Sequence, residues 1–203
     1  MKVIRPFGPT IAKASMSESL VNELNDYVDK TLKDKLKTQE LDYGKMLAGN
    51  VQQEFLLDKE FTFSSGWEFF LREKTEKWIL ESTNEKVNEF KIIDTWIVRQ
   101  FENEYNPLHS HGGHISGVGY LKLPDNYGET VQKDKEENHN GNLQLVHGSK
   151  NFLSPVTLNI EPKVGDFYFF PHYLMHTVYP FKNKNAERRS VSFNAYIDTN
   201  IYN

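Results

Sequence analysis

The hydrophobic period of the chain changes near residue 90, and that change limits what the chain can fold into. Residues 90–101, 115–123, 143–146, 167–170, 176–179 and 189–197 are short apolar or alternating runs separated by Gly, Pro, Asn and Asp, the pattern of strands joined by tight turns. Upstream the period is helical. Ser15 and Glu18 stand three apart, as in a capping box, ahead of Leu20, Val21, Leu24, Tyr27, Val28 and Leu32. Ser64 or Ser65 can cap a second helix carrying Trp67, Phe70, Leu71, Trp78 and Ile79, with both tryptophans expected in the core. Residues 3–11, broken by Pro6, Gly8 and Pro9, predict a short edge strand, and residues 42–58 a loop with short ordered pieces. Helices gathered before a series of strands predict a mainly β fold, a barrel or jelly roll with helices on one outer face.

One domain over residues 1–203 is expected, with 1–89 mostly helical support and 90–203 the β core that carries the site. A hydrophobic content of 38% is enough for a packed interior, so disorder is not expected. A net charge of −4 argues against a nucleic-acid binder, which would present a basic surface. No run approaches membrane-spanning length, and the stretch from Met1 to Pro6 lacks the apolar core of a signal peptide. With no cysteine, disulfides and thiolate ligands are excluded, leaving His, Asp and Glu as the strong metal-binding side chains. A soluble, cytoplasmic protein is the expectation.

His109 and His111, two apart in Asn106-Pro107-Leu108-His109-Ser110-His111, leave the same face of an extended segment and can converge on one metal ion. His176 can join them only if tertiary structure brings two distant segments together. Three neutral imidazoles suit Fe(II), Zn(II), Cu or Ni and leave positions open for substrate. Arg188 opens the last apolar strand, and its planar, permanently charged fork matches the carboxylate of a small acidic ligand.

His109-x-His111, the distal His176, Tyr120 within Val118-Gly119-Tyr120-Leu121, the turn from Glu161 to Asp166, and Arg188-x-Ser190-x-Ser192 together resemble the Fe(II)/2-oxoglutarate-dependent oxygenases. The spacing is most similar to the prolyl-hydroxylase-like branch, among small 2OG-Fe(II) oxygenases with a His-x-His motif. The resemblance covers the C-terminal half and implies a double-stranded β-helix, a cupin-like jelly roll with iron near one open end. It implies His109 and His176 as histidine ligands, Arg188 as the salt-bridge to the distal carboxylate of 2-oxoglutarate, and Tyr120 and Ser192 as hydrogen-bond donors there. It also implies hydroxylation of a peptidyl residue, such as proline, or of a small metabolite, with dioxygen consumed and succinate and carbon dioxide released.

One departure stands at the metal. The superfamily places an acid where this chain has His111, which leaves the ferrous site more positive by one charge. If His111 is not the third ligand, His114 is the nearest substitute, and Glu129 or Asp134 can supply a carboxylate from the polar loop at 125–140, itself a mobile loop or a lid over the site. Halogenation is disfavoured, because an imidazole fills the room a halide needs. Two other readings use the same residues: a zinc-dependent hydrolase or lyase, and a cupin-like binding protein without turnover. His139 is expected to be solvated, and His147 and His172 to be structural or at the substrate edge. Trp96 is expected in the core, with a pocket-lining place as the alternative. Arg189, on the opposite strand face from Arg188, is expected at the surface.

Overall fold

The computed structural model describes residues 8–130 and 137–202. Among the described residues, ten strands form two antiparallel sheets. In chain order they are β1 (Ala12–Ser15), β2 (Gln53–Leu56), β3 (Phe90–Gln100), β4 (Asn106–His109), β5 (Ile115–Lys122), β6 (Leu143–Val146), β7 (Thr157–Ile160), β8 (Asp166–Pro171), β9 (Met175–Val178) and β10 (Arg188–Ile197). The larger sheet runs β1-β8-β5-β10-β3-β2 and the smaller β4-β9-β6-β7. From β3 onward the chain passes back and forth between the sheets, apart from the β6–β7 hairpin, which makes this the double-stranded β-helix, with helices flanking it.

Those helices are α1 (Glu18–Thr31), α2 (Lys35–Glu40), α3 (Lys59–Ser64), α4 (Trp67–Thr83) and the short α5 (Thr199–Tyr202). The cap of α1 is Ser17, whose hydroxyl accepts from the Leu20 amide, rather than Ser15, which is taken up by β1 opposite Asp166. Ser65 accepts from the Trp67 amide at the head of α4, while Gly66, at φ 77°, makes the turn into it. The edge strand lies later than expected, starting at Ala12; of the expected segment, residues 3–7 lie outside the described residues and residues 8–11 are not a strand. The 42–58 stretch contains a 3-10 turn, Gly44–Met46, and β2, which adds a sixth strand beside β3.

The larger sheet is covered on both faces, so its strands read as near-continuous apolar runs. Along β8, Phe167 and Phe169 pack under Trp67, Phe70 and Trp78 of α4. Phe170 turns the other way, onto Leu143, Leu145 and Val178 of the smaller sheet. Each fully buried Phe contributes roughly 1.5–3 kcal/mol. Trp67 belongs to this core and its indole N–H donates to Thr95 Oγ1, which in turn donates to the Ser192 carbonyl. The helix layer thereby fixes β10, whose inward residues line the cavity between the sheets.

Among the described residues no helix is long and apolar enough to cross a membrane.

Candidate metal centre and co-substrate cavity

β4 pairs with β9 so that His109 lies directly opposite His176. His111 lies two residues past the end of β4, and its amide donates to the His172 carbonyl at 3.0 Å. The ring centroids are 4.3 Å apart for His109 and His176, 4.9 Å for His111 and His176, and 5.0 Å for His109 and His111. One nitrogen of each lies within 4.8 Å of the others, so the three distant sequence positions offer one ligand set.

Backbone carbonyls set the tautomers. The Nδ1–H of His109 donates to the Pro107 carbonyl at 2.7 Å, and that of His176 to the Leu174 carbonyl at 2.9 Å. Each ring therefore presents its Nε2 lone pair to the cavity, the form a metal requires. Nε2 of His111 and Nε2 of His176 are 3.1 Å apart, close to the spacing of about 3 Å that two imidazoles bound at about 2.1 Å to one ion, at a right angle, must have. Burial lowers all three pKa values, that of His111 to about 3 with help from the His176 and His109 charges, and that of His176 to about 4. All three imidazoles are neutral at physiological pH. Trp96 packs 5.6 Å from the His111 ring and lines the cavity, so it is a core residue and a wall residue together.

At the other end of the cavity stands Arg188, 1% exposed. Its Nε donates to the Gly141 carbonyl at 3.1 Å, and its Nη2 has no partner. The guanidinium lies 5.1 Å from the centroid of the fully buried Tyr120, whose hydroxyl is also unpartnered. Burial raises the Tyr120 pKa and the Arg188 charge opposes the rise, so the phenol stays a donor. Ser190 and Ser192, the next inward residues of β10, line the same cavity. Buried donors without acceptors cost about 1–3 kcal/mol each, and a carboxylate is the ligand that would satisfy them. The donor set thus fits 2-oxoglutarate as the three imidazoles fit Fe(II).

Tyr127 escaped the sequence reading because its loop has no period. Its hydroxyl is buried and unpartnered as well, and its pKa is raised by burial and opposed by Arg188. Gly141 explains the fit: at φ 72° it occupies the left-handed region, and a Cβ there would collide with the Tyr127 ring.

The remaining candidates lie elsewhere. His114 stacks on Tyr202 and bonds the Ile197 backbone, and His172 joins the His111 carbonyl to the Tyr202 hydroxyl. His147 is exposed, and His139 is half-buried beside Glu137 and Tyr179. Glu129 is outside the ligand group, and Asp134 lies outside the described residues. The surface expectation for Arg189 is overturned. It is 3% exposed because α1 covers that face of β10, where Asp29, Asn25 and Glu187 take its donors.

Fold and cavity together define a cupin-like jelly roll that gathers three imidazoles and a buried, partly unpaired guanidinium in one cavity, and the comparisons narrow that class. Residues 94–194 match the family model described as "Putative 2OG-Fe(II) oxygenase". A prolyl-4-hydroxylase of Pseudomonas putida is similar in fold at 16% identity, with a TM-score of 0.59 and 91% of each chain covered. The viral collagen prolyl hydroxylase of Paramecium bursaria Chlorella virus-1, in complex with 2-oxoglutarate, is similar at 15% identity, TM-score 0.55, over 92% of this chain and 96% of that one. HygX of Streptomyces hygroscopicus, with nickel and 2-oxoglutarate bound, is similar at 12% identity, TM-score 0.55, over 92% and 81%. No curated protein matches. The chain belongs to the Fe(II)/2-oxoglutarate-dependent oxygenases, and its fold is that of their prolyl-hydroxylase-like branch. It is an enzyme of that class, dependent on Fe(II) and on 2-oxoglutarate as co-substrate.

Proposed function

We propose that His109, His111 and His176 hold the ferrous ion and that Arg188, with Tyr120 and Ser192, anchors the distal carboxylate of 2-oxoglutarate. The observation that carries the reading is the pairing of two complementary groups in one cavity: three inward imidazoles at one end and, at the other, a buried guanidinium whose Nη2 has no acceptor. Bound iron supplies the oxidative decarboxylation of 2-oxoglutarate by dioxygen, with hydroxylation of a substrate C–H bond and release of succinate and carbon dioxide. The protein's residues position and exclude. The Pro107 and Leu174 carbonyls keep the imidazole lone pairs inward, Arg188 fixes the length and register of the co-substrate, and Trp96 and Phe170 keep water from two of the imidazoles. His111 in place of the usual acid makes this, among the described residues, an all-imidazole site. The substrate is a peptidyl residue, proline among the candidates, or a small metabolite. A cytoplasmic setting belongs to the same proposal, supported by the absence of cysteine.

The test is uncoupled turnover. Protein reconstituted anaerobically with Fe(II) and 2-oxoglutarate is expected to develop the visible charge-transfer band of the ternary complex and to form succinate once oxygen is admitted. Absence of both signals overturns the reading, and oxygen-independent turnover with Zn(II) that ignores Arg188→Ala would replace it with zinc hydrolase or lyase chemistry.

A further inference from the structure

The cavity also has a polar side wall, formed by β2 and β4 between the imidazoles and Arg188 and made of acceptors rather than donors. Glu54 on β2 is 3% exposed, lines the cavity beside Trp96 and Val98, and leaves its Oε2 without a partner. Asn106 on β4 lines the same wall, and its Oδ1 is also buried and unpartnered. Gly49 lies between them: a Cβ there would collide with Asn106 Oδ1 and come within 2.8 Å of Glu54 Oε1, so a bare backbone keeps the two side chains in place. Among the described residues, no lysine or arginine forms an ion pair with Glu54, and Glu54 is not part of the metal-ligand group.

Its acidic neighbours are accounted for differently. Glu104 accepts from the Gln52 and Phe101 amides, one on each oxygen, and Asp42 accepts from the Gly44 amide. These two hold loops, while Glu54 holds nothing. Burial, then the Glu104 and Asp42 charges, push its pKa up to about 7. An unpaired buried carboxyl is retained against a desolvation cost. A ligand that brings positive charge and N–H donors relieves that cost, and a prolyl residue inside a peptide has neither.

We propose that Glu54 and Asn106 receive a cationic nitrogen of the substrate, an ammonium or guanidinium group, so that this oxygenase acts on amine- or guanidine-bearing compounds. The inference rests on the reading of the cavity as the 2-oxoglutarate site. Arg188 takes the co-substrate's carboxylate, Glu54 takes the substrate's cation, and the two poles keep the ligands from exchanging places.

The experiment is calorimetric, on protein carrying Mn(II) and 2-oxoglutarate without oxygen. L-Lysine is compared with L-norleucine and L-arginine with L-citrulline, each pair also as Nα-acetyl amides, alongside a proline-containing peptide. The cationic member of a pair is expected to bind at least about tenfold tighter, roughly what one charge-assisted hydrogen bond supplies. Preference confined to the free amino acids identifies a metabolite, and preference kept in the blocked forms identifies a peptidyl side chain; either supports the proposal. Glu54→Gln, which keeps shape and removes charge, is expected to bring each ratio to within about twofold while the protein melts no lower than wild type. Equal binding of cationic and neutral members by the wild type overturns the proposal, as does tighter binding of the proline peptide. So does a Glu54→Gln protein that keeps the preference and loses metal affinity, since Glu54 would then offset the charge of the metal. A parallel titration of 2-oxoglutarate separates the two levels: co-substrate binding without cation preference sinks this inference alone, and no co-substrate binding sinks the parent reading.

Discussion

Arg188 and Arg189 are adjacent in sequence and stand back to back across β10. Strand parity, readable from sequence, puts one in the cavity and the other on the opposite face. What covers that opposite face was not readable, because Asn25 and Asp29 come from α1, some 160 residues away. Both arginines are buried, but their roles separate on substitution. Arg188→Ala is expected to weaken 2-oxoglutarate binding by about a hundredfold, the equivalent of losing a bidentate charged contact. Arg189→Ala is expected to leave that affinity within about threefold and to lower the unfolding free energy by about 3 kcal/mol, because Glu187 loses a buried partner. Titration of co-substrate and urea unfolding of both variants check this, and equal effects on 2-oxoglutarate would mean that the register of β10 is wrong. The histidine triad was legible from spacing. The carbonyls of Pro107 and Leu174 that orient two of its rings carry no residue-type signal and needed coordinates.

At the scale of elements, legibility followed burial. Strands covered on both faces, such as β8 and β10, announce themselves as apolar runs, and their bounds fall within one residue of the sequence reading. β4 entered only as the extended segment that carries His109, and β7 was missed. The first is four residues long and contains Pro107, and the second has three exposed residues of four, so neither carries a period. The helices α2 and α3 are six residues each, too short for a periodic face, although Asp34 and Asp58 cap them as sequence rules allow. The alternation within β10 can be tested by a neighbouring pair. Phe193 is fully buried against Phe90, Phe167 and Phe169 on the helix side, whereas Ser192 lines the cavity. Phe193→Ala is expected to cost about 3–5 kcal/mol of stability with co-substrate affinity retained in the folded fraction. Ser192→Ala is expected to weaken 2-oxoglutarate a few-fold and to change stability by less than about 1 kcal/mol. A reversed pattern, read by the same two titrations, would place the faces of the strand the wrong way round.

For the whole molecule, two carboxyls set opposite limits on the pH range of stability. Burial alone would raise the pKa of Glu187, but hydrogen bonds and charge from Arg99 and Arg189 overcome it and hold the group down at about 2. Glu187 ties three parts of the fold together: the head of β10 through Arg189, β3 through Arg99 at 2.6 Å, and β5 through Lys122 at 3.3 Å. Its folded value lies below its unfolded value of 4.5. Its stabilisation is therefore complete above pH 4.5 and is lost as pH falls toward 2, amounting to about 3 kcal/mol across that window. Glu54 has the opposite sign. Raised from 4.5 to about 7, it favours the folded state at low pH, and that contribution disappears as pH rises through 7. The buried imidazoles of His111 and His176, held down at about 3 and 4, add to the Glu187 slope, because below pH 6.5 the unfolded rings take up protons that the folded ones refuse. Two imidazoles outweigh the single Glu54 carboxyl and place the stability maximum near pH 6.5. Glu187→Gln is then expected to destabilise the protein by about 3 kcal/mol at pH 7 and by almost nothing near pH 2, flattening the acid limb of the urea-unfolding profile while leaving its slope between pH 5 and 7 intact. Should the acid limb of Glu187→Gln stay as steep as that of wild type, the loss of stability in acid arises elsewhere, and the knot joining β10 to β3 is not what holds the cavity's arginine-bearing strand in place.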